Sequence, residues 1–212
     1  MQWTLVIPLK PLARAKSRLA DTASDGLRPG LALAFAQDTV AAALACPAVK
    51  DVAVVTDDAL AGRELGSLGA RIVSDEPSGG LNAALAHAAA VVRETRPESA
   101  VAALNADLPA LRPLELARVL DAATEFRRAF LPDAATIGTT LLTAREGEEL
   151  LPAFGMDSRA RHRASGAAEL TLDAVDSVRQ DVDTGADLRA ALALGVGPRT
   201  AAAAARLLIP GQ

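Results

Sequence analysis

The chain has 212 residues, half of them hydrophobic, which is enough for one large domain over residues 1–212, and no linker-like segment divides it. Its net charge of −4 argues against a general nucleic-acid binder, and its single cysteine excludes an internal disulfide framework and agrees with a reducing cytoplasm. No apolar run reaches the ~18 residues of a membrane-spanning helix, and the start lacks the pattern of a signal peptide, so we expect a cytoplasmic protein that does not contact the membrane.

Apolar strands alternate with helices along the first part of the chain. The predicted strands cover residues 3–8, 52–56, 70–74 and 101–104. The predicted helices cover residues 31–46, 57–68, 81–94 and 113–126. Buried strands that alternate with helices predict an α/β fold of three layers, with a mostly parallel sheet between two layers of helices.

This alternation stops after residue 126. Residues 129–131 and 139–142 also resemble strands, but the loop between them is too short for a crossover helix, so we expect them to pair antiparallel and to make the sheet mixed. The remaining predicted elements are a short basic helix at Ser158–Ala164, a strand over residues 169–172, a helix over residues 186–194, and an alanine-rich helix or tail over residues 201–205.

The loop after the first strand, LKPLARAKSRLA, is basic and contains no glycine. It therefore lacks the G-x-G-x-x-G pattern that lets a dinucleotide-binding backbone approach a pyrophosphate. Its four positive side chains fall within nine residues of an otherwise acidic chain, and they are Lys10, Arg14, Lys16 and Arg18. This concentration of charge at a strand end favours binding of a polyphosphate, although a solvated basic turn is the alternative.

Asp107 lies where the fourth strand ends, in the stretch VAALNADLPALRP. The strand cannot continue far beyond it, because Pro109 has no backbone N–H and restricts Leu108 to extended geometry. Ligands of open α/β sheets bind at the carboxyl ends of the strands, so a carboxylate there is well placed to hold a divalent cation. The alternative is that Asp107 only caps the turn into the next helix.

Three other segments are expected at the same edge of the sheet. In DEPSGGLN, Gly80 and Asn82 begin a helix whose exposed backbone N–H groups suit an anion or a ribose, although a simple helix cap explains them nearly as well. In FGMDSRARH, Gly155 and Ser158 precede several arginines, a cluster that suits a small phosphate or carboxylate. In DVDTGADL, Asp183 could share Mg²⁺ with Asp107, and Asp181 or Asp187 could join it.

These motifs occur in the order PLKPLARAKSRLA, GLNAAL, NADLPAL, GTT, FGMDSRARH and DVDTGADL. In that order the chain resembles the guanylyltransferases that make the deazaflavin coenzyme F-420, most of all their phosphoenolpyruvate branch. The resemblance implies a Rossmann-like, glycosyltransferase-A-like fold, as in nucleotide-diphospho-sugar transferases. It also implies a Mg²⁺-dependent reaction in which GTP and a three-carbon phosphorylated acid give a guanylylated acid and pyrophosphate. A 2-phospholactate or 3-phosphoglycerate acceptor, a sugar-phosphate or molybdopterin-type transferase, and a silent nucleotide-binding regulator remain alternatives.

The resemblance also assigns roles to single residues. It implies that Asp107 holds the metal and that Gly155 and Ser158 contact the acceptor. Relatives usually show a doubled Gly-Thr where this chain reads TIGTT, so the acceptor-binding threonine is either Thr139 or Thr140. Hand-off of the product to a downstream transferase and a homo-oligomer are additional expectations.

The chemistry implied by the resemblance needs no general base, because a phosphate monoester with a second pKa of about 6 is already largely a dianion at neutral pH. The enzyme must instead align two anions and neutralise the departing pyrophosphate. We expect Arg14 and Lys16 to do this within the basic loop, assisted by Mg²⁺ on Asp107 and Asp183. His162 is left to orient the acceptor or to pack locally.

Overall fold

The computed structural model describes residues 1–14, 19, 26–75 and 79–207, which form a mixed seven-stranded sheet and its surrounding helices. The strands are β1 (Trp3–Pro8), β2 (Val49–Val55), β3 (Arg71–Val73), β4 (Ala100–Leu104), β5 (Arg128–Pro132), β6 (Thr139–Ala144) and β7 (Ala168–Glu169). The helices are α1 (Arg28–Leu44), α2 (Ala59–Ser67), α3 (Leu81–Thr95), α4 (Pro113–Ala123), α5 (Ser158–Ala164), α6 (Asp176–Arg179), α7 (Gly185–Leu194) and α8 (Pro198–Ala205). Among these described helices, none has both the length and the apolar character needed to cross a membrane.

The strand order is β3-β2-β1-β4-β6-β5-β7. The first four strands in this order are parallel, whereas β6 runs antiparallel to both β4 and β5, so the predicted antiparallel pair and the mixed sheet are confirmed. The chain builds outward from β1 to β3 on one side and then crosses to β4 on the other side. This change of direction opens a crevice beyond the carboxyl ends of β1 and β4, where ligands of such sheets bind.

Alternating side chains of the strands fill two cores, one on each face of the sheet. On one face, Trp3, Leu5 and Ile7 of β1 pack in the same cluster as α1, α2 and α4. On the other face, Val6 of β1 packs in a cluster with the apolar side of α3. The sheet is therefore covered on both faces, which confirms the predicted three-layer α/β architecture and leaves the strand ends as the place for a polar site.

The structure corrects several predicted boundaries. The first helix begins at Arg28 rather than at residue 31, because Pro29 in its first turn favours helix initiation. The last strand lies at Ala168–Glu169 instead of residues 169–172, and α6 was not predicted because four residues carry no readable periodicity. The helix predicted over 113–126 ends at Ala123, and the alanine-rich tail belongs to α8, which starts with Pro198.

Asp38 of α1 caps the distant helix α8. Its buried carboxylate accepts hydrogen bonds from the backbone N–H groups of Thr200 at 2.7 Å and Arg199 at 3.3 Å. Gly197, the residue before α8, leaves room for this contact, because a Cβ atom at that position would overlap the Asp38 carboxylate. A carboxylate at a helix start satisfies N–H groups that have no partner within the helix, so this contact docks α8 on α1.

We expect Asp38→Ala to lower the free energy of unfolding by about 1–3 kcal/mol, because two backbone N–H groups of α8 lose their acceptor. Urea unfolding followed by circular dichroism measures the change. Glu94→Ala, which removes an exposed carboxylate at the end of α3, is the control and should change the stability by less than about 0.5 kcal/mol. An Asp38→Ala protein as stable as the wild type would show that the cap does not hold α8.

Candidate active site

A cleft of about 700 Å³ opens at the carboxyl ends of β1 and β4, where the strand order reverses. Its walls come from the residues that follow these two strands, the loop between β5 and β6, the start of α5 and the segment before α7. Because β6 is antiparallel to β4, the beginning of β6 lies at the same edge as the end of β4. Segments that are far apart in sequence thus reach one cavity.

The cleft gathers many of the predicted site residues. Those that line it are Lys10, Asp107, Thr139, Gly155, Ser158 and Asp183. Lys16 and Arg18 lie outside the described residues, and of Arg14 only the backbone is described, at the end of a 3-10 turn over Leu12–Arg14. The roles assigned to these residues remain predictions, but the described ones share a single cavity.

Backbone contacts shape the part of the cleft around Asp107. Its carbonyl oxygen accepts a hydrogen bond from the N–H of Val182 at 3.1 Å, which ties the segment carrying Asp183 to the end of β4. The next N–H, that of Leu108, donates at 3.0 Å to the hydroxyl of Thr39, a buried residue of α1. Sequence reasoning missed Thr39, since nothing in its local pattern distinguishes it from other residues of the helix.

The donor set around Asp107 fits a hard divalent cation with open coordination positions. Asp107, Asp181 and Asp183 line the cleft and offer carboxylate oxygens, the atoms that Mg²⁺ prefers. Within the part of the chain that the structure describes, no three His, Cys, Asp or Glu side chains are grouped so that they could hold a metal ion together. A cation held by two carboxylates keeps its other positions for water and substrate phosphates, as Mg²⁺ commonly does.

Asp187 caps the start of α7 and does not line the cleft. Its carboxylate accepts hydrogen bonds from the N–H and the hydroxyl of Thr184, at 2.7 and 2.8 Å, and forms a capping box at the start of α7. It also accepts from the N–H of Asp183 at 3.2 Å. Asp187 therefore orients the backbone at Asp183, and Asp181 is the further acid that lines the cleft.

Thr139, Gly155 and Ser158 also line the cleft. Successive side chains of a strand point to opposite faces, and it is Thr139 that lines the cleft, whereas Thr140 is fully buried with no hydrogen-bond partner for its hydroxyl. The loop before β6 is held by the Asp133 carboxylate, which accepts from the N–H of Gly138 at 2.8 Å. A Cβ atom on residue 138 would overlap this carboxylate, so the loop conformation requires the glycine of the GTT motif.

The arginines of FGMDSRARH are bound within the protein rather than presented to the cleft. Arg159 pairs with Glu169 at 2.8 Å, and Arg163 contacts the same carboxylate. Arg161 donates to the carbonyl oxygen of Phe154 at 2.8 Å. The guanidinium groups that were expected to bind a small anion therefore hold α5 in place. Glu169 of β7 comes near this helix only when the chain is folded.

Asn82 and Gly80 do not line the cleft. The Asn82 side-chain amide donates to the carbonyl oxygen of Phe154 at 3.1 Å, and its oxygen accepts from the N–H of Phe154 at 2.8 Å. Both polar atoms of Asn82 are thus bound to the loop that precedes α5. Gly80 caps α3 and is exposed.

Asp58 anchors the beginning of the basic loop. One carboxylate oxygen accepts from the N–H groups of Leu60 and Ala61, both at 3.0 Å, and the other accepts from the N–H of Leu12 at 2.9 Å. These backbone hydrogen bonds hold the pKa of Asp58 below its usual value. Sequence reasoning identified Asp58 only as the start of a helix, because its contact with Leu12 spans 46 residues of sequence.

His162 is fully buried and contacts both Thr139 and the loop that precedes α5. Its Nδ1 lies 2.9 Å from the hydroxyl of Thr139, and its Nε2 accepts from the N–H of Ala153 at 2.9 Å. The rings of Phe130 and Phe154 pack on the imidazole, with centroid distances of 5.7 and 5.0 Å. Burial, reinforced by two nearby arginines, lowers the pKa of His162 to about 4, so the ring is neutral at physiological pH.

Known sequences match this chain over nearly its whole length. The sequence model of the family described as "Guanylyl transferase CofC like" matches residues 3–203. A relative from Streptomyces coelicolor, named phosphoenolpyruvate guanylyltransferase, is 84% identical over 212 residues. The alignment covers 100% of this chain and 100% of the relative.

Solved structures support the fold. A nucleotidyl transferase from Methanothermobacter is 20% identical, with a TM-score of 0.63 and coverage of 91% of this chain and 97% of the other. A Mycobacterium tuberculosis protein in complex with manganese is 22% identical, with a TM-score of 0.56 and coverage of 91% and 99%. The predicted nucleotidyltransferase fold is confirmed.

Proposed function

The chain belongs to the family of CofC-like guanylyl transferases, and from this premise we propose that it couples GTP to phosphoenolpyruvate in the biosynthesis of coenzyme F-420. The products would be enolpyruvoyl-2-diphospho-5′-guanosine and pyrophosphate. The observation that carries the proposal is the cleft itself, which brings Lys10, the carboxylates of Asp107 and Asp183, and the hydroxyl-bearing Thr139 and Ser158 into one cavity. Such a cavity can hold a metal-bound triphosphate and a small phosphorylated acid together.

The proposed reaction is a displacement at the α-phosphorus of GTP. A phosphate oxygen of phosphoenolpyruvate forms the new bond to phosphorus, while the bond to the bridging oxygen of the β-phosphate breaks and pyrophosphate leaves with its electron pair. No proton is removed from the nucleophile, because the attacking phosphate is already largely a dianion at neutral pH. The absence of a basic histidine from the site is therefore compatible with the chemistry, since His162 is neutral and buried.

The chain's own residues would bind and align the two anions. Lys10 lines the cleft and can neutralise the triphosphate, together with Arg14 and Lys16 of the basic loop. Asp107 and Asp183 would hold a divalent cation, for which we propose Mg²⁺. When bound there, the cation supplies charge neutralisation and a fixed orientation of the phosphates.

Thr139, Ser158 and the backbone at Gly155 would receive the acceptor. Ser158 and Thr139 are buried side chains that nevertheless line the cleft, so their hydroxyl groups are available only to a ligand that enters it. We further expect the reactive product to be passed to the transferase that consumes it.

The test compares kcat/KM for GTP-dependent pyrophosphate release with phosphoenolpyruvate, 2-phospholactate and 3-phosphoglycerate. We expect phosphoenolpyruvate to be preferred, but only partially over 2-phospholactate, because small differences in shape change binding by about 1–3 kcal/mol. A tenfold preference for either other acid would overturn the choice of acceptor and leave the reaction class intact. No pyrophosphate release with any of the three would overturn the reaction class.

Ser158→Ala separates the acceptor subsite from the nucleotide subsite. Loss of one hydrogen bond to a charged acceptor should raise the KM for phosphoenolpyruvate about tenfold and leave the KM for GTP within about twofold. Steady-state kinetics with each substrate varied in turn measures both constants. Equal increases in the two constants would contradict the assignment of Ser158 to the acceptor.

A further inference from the structure

We propose that His162 is a positioning residue that turns the Thr139 hydroxyl into a hydrogen-bond donor toward the acceptor. This inference rests on the proposed function, because it concerns how the acceptor subsite recognises an anion. His162 lies four residues after Ser158 on α5 and contacts both Thr139 and the loop that carries Gly155. It therefore connects all three residues of that subsite.

The first step is the tautomer of the imidazole. The N–H of Ala153 lies 2.9 Å from Nε2, and a backbone N–H can only donate, so Nε2 must accept and carries no proton. The single proton of a neutral imidazole is then on Nδ1. The ring stays neutral because it is fully buried and because Arg128 and Arg161 lie close enough to disfavour a further positive charge.

The second step follows the hydrogen bond from Nδ1 to Thr139. Since Nδ1 carries the proton, it donates to the Thr139 oxygen at 2.9 Å, and the Thr139 hydroxyl hydrogen cannot point back at the ring. That hydrogen is left to donate to a ligand in the cleft that Thr139 lines. With the other tautomer, Thr139 would donate to the ring and would present only lone pairs to an anionic ligand.

The third step is that packing and hydrogen bonding fix the orientation of the imidazole ring. Phe130 packs against it in a tilted arrangement and Phe154 in an edge-on arrangement, and both are buried. Rotating the ring would leave the N–H of Ala153 without its acceptor, which is unfavourable for a buried donor. Asn82 holds the adjoining Phe154 from the other side through both polar atoms of its amide.

Three substitutions separate the two hydrogen bonds of the ring. His162→Phe preserves a packed ring and removes both bonds, whereas His162→Asn keeps a donor near the Nδ1 position and His162→Gln keeps an acceptor near the Nε2 position. We expect His162→Phe to raise the KM for phosphoenolpyruvate about tenfold, with the KM for GTP within about twofold, and His162→Asn to recover most of this loss. His162→Gln should recover little of it.

A double-mutant cycle with Thr139→Val tests whether His162 acts through Thr139. If it does, the double variant His162→Phe/Thr139→Val should bind phosphoenolpyruvate no more weakly than Thr139→Val alone. The control His87→Phe replaces the chain's other histidine, on α3 away from the cleft lining, and should leave both KM values unchanged. Additive effects in the cycle, or a His162→Phe protein with wild-type KM values, would overturn the proposal.

A measurement without catalysis covers the case in which His162→Phe fails to fold. Long-range ¹H–¹⁵N spectra of the wild-type protein distinguish the two neutral tautomers, and we expect the Nδ1-protonated form. A proton on Nε2 would overturn the inference, even if the enzyme is active. Conversely, an inactive wild-type enzyme with the expected tautomer would refute the proposed function and not the geometry of the subsite.

Discussion

Replacing Asp107 with asparagine should lower metal-dependent pyrophosphate release by at least about 100-fold while the protein keeps its fold. Loss of a metal-binding carboxylate removes charge that the cation needs, and even changes in the groups around metal ligands cost about 10- to 100-fold. The backbone contacts at this point, from Asp107 to Val182 and from Leu108 to Thr39, do not involve the substituted side chain. Initial rates over a range of Mg²⁺ concentrations measure the effect, and thermal unfolding checks the fold.

Two further substitutions make this result specific. Asp183→Asn should behave similarly, though less severely if Asp181, which lines the same cleft, takes its place. Asp121→Asn removes an exposed carboxylate from α4 and should leave the rate unchanged. A wild-type rate for Asp107→Asn would mean that Asp107 only caps the turn after β4.

The basic loop should control GTP rather than stability. We expect Arg14→Ala and Lys16→Ala each to change the KM for GTP or kcat about 10- to 100-fold, the loss of one charge-assisted hydrogen bond to a phosphate. Contacts that tighten only in the transition state lower kcat, whereas contacts already present with bound GTP raise its KM. Thermal unfolding temperatures should stay near the wild-type value, because basic side chains in loops contribute little to folding.

Lys50→Ala is the matched control for the loop substitutions. Lys50 is exposed near the start of β2, so it lies toward the edge of the sheet opposite the cleft. Its loss should alter neither the kinetics nor the stability. If the loop variants lose stability with unaltered GTP kinetics, the loop has a structural role and the triphosphate is bound elsewhere.

The predicted fold and the predicted edge for the site depend on local signals, which explains why sequence analysis could find them. The apolar runs of β1, β2 and β4 and the proline after Asp107 are readable from neighbouring residues alone. The rule that ligands bind at carboxyl strand ends then places Lys10, Asp107 and Ser158 at one edge. The cleft does bring these three residues together.

Hydrogen-bond partners could not be predicted in the same way. The arginines of FGMDSRARH were expected to bind an anion, but Glu169 engages Arg159 and Arg163, and their pairing depends on where β7 joins the sheet. Asn82 was expected to contact the nucleotide, but it binds the backbone of Phe154, 72 residues away in sequence. Each of these side chains has the right chemistry for a ligand, and only its folded surroundings decide what it binds.

The sequence by itself therefore determined the α/β class, the order of most elements and several of the residues that line the cleft, because these follow from composition and periodicity over short distances. Only the tertiary structure decided that β6 lies between β4 and β5, that Thr139 rather than Thr140 lines the cleft, and that Nδ1 of His162 faces Thr139. Strand pairing, side-chain direction and tautomer all depend on contacts between segments far apart in the chain. A local pattern of residues cannot predict these contacts, since they form only when the chain has folded.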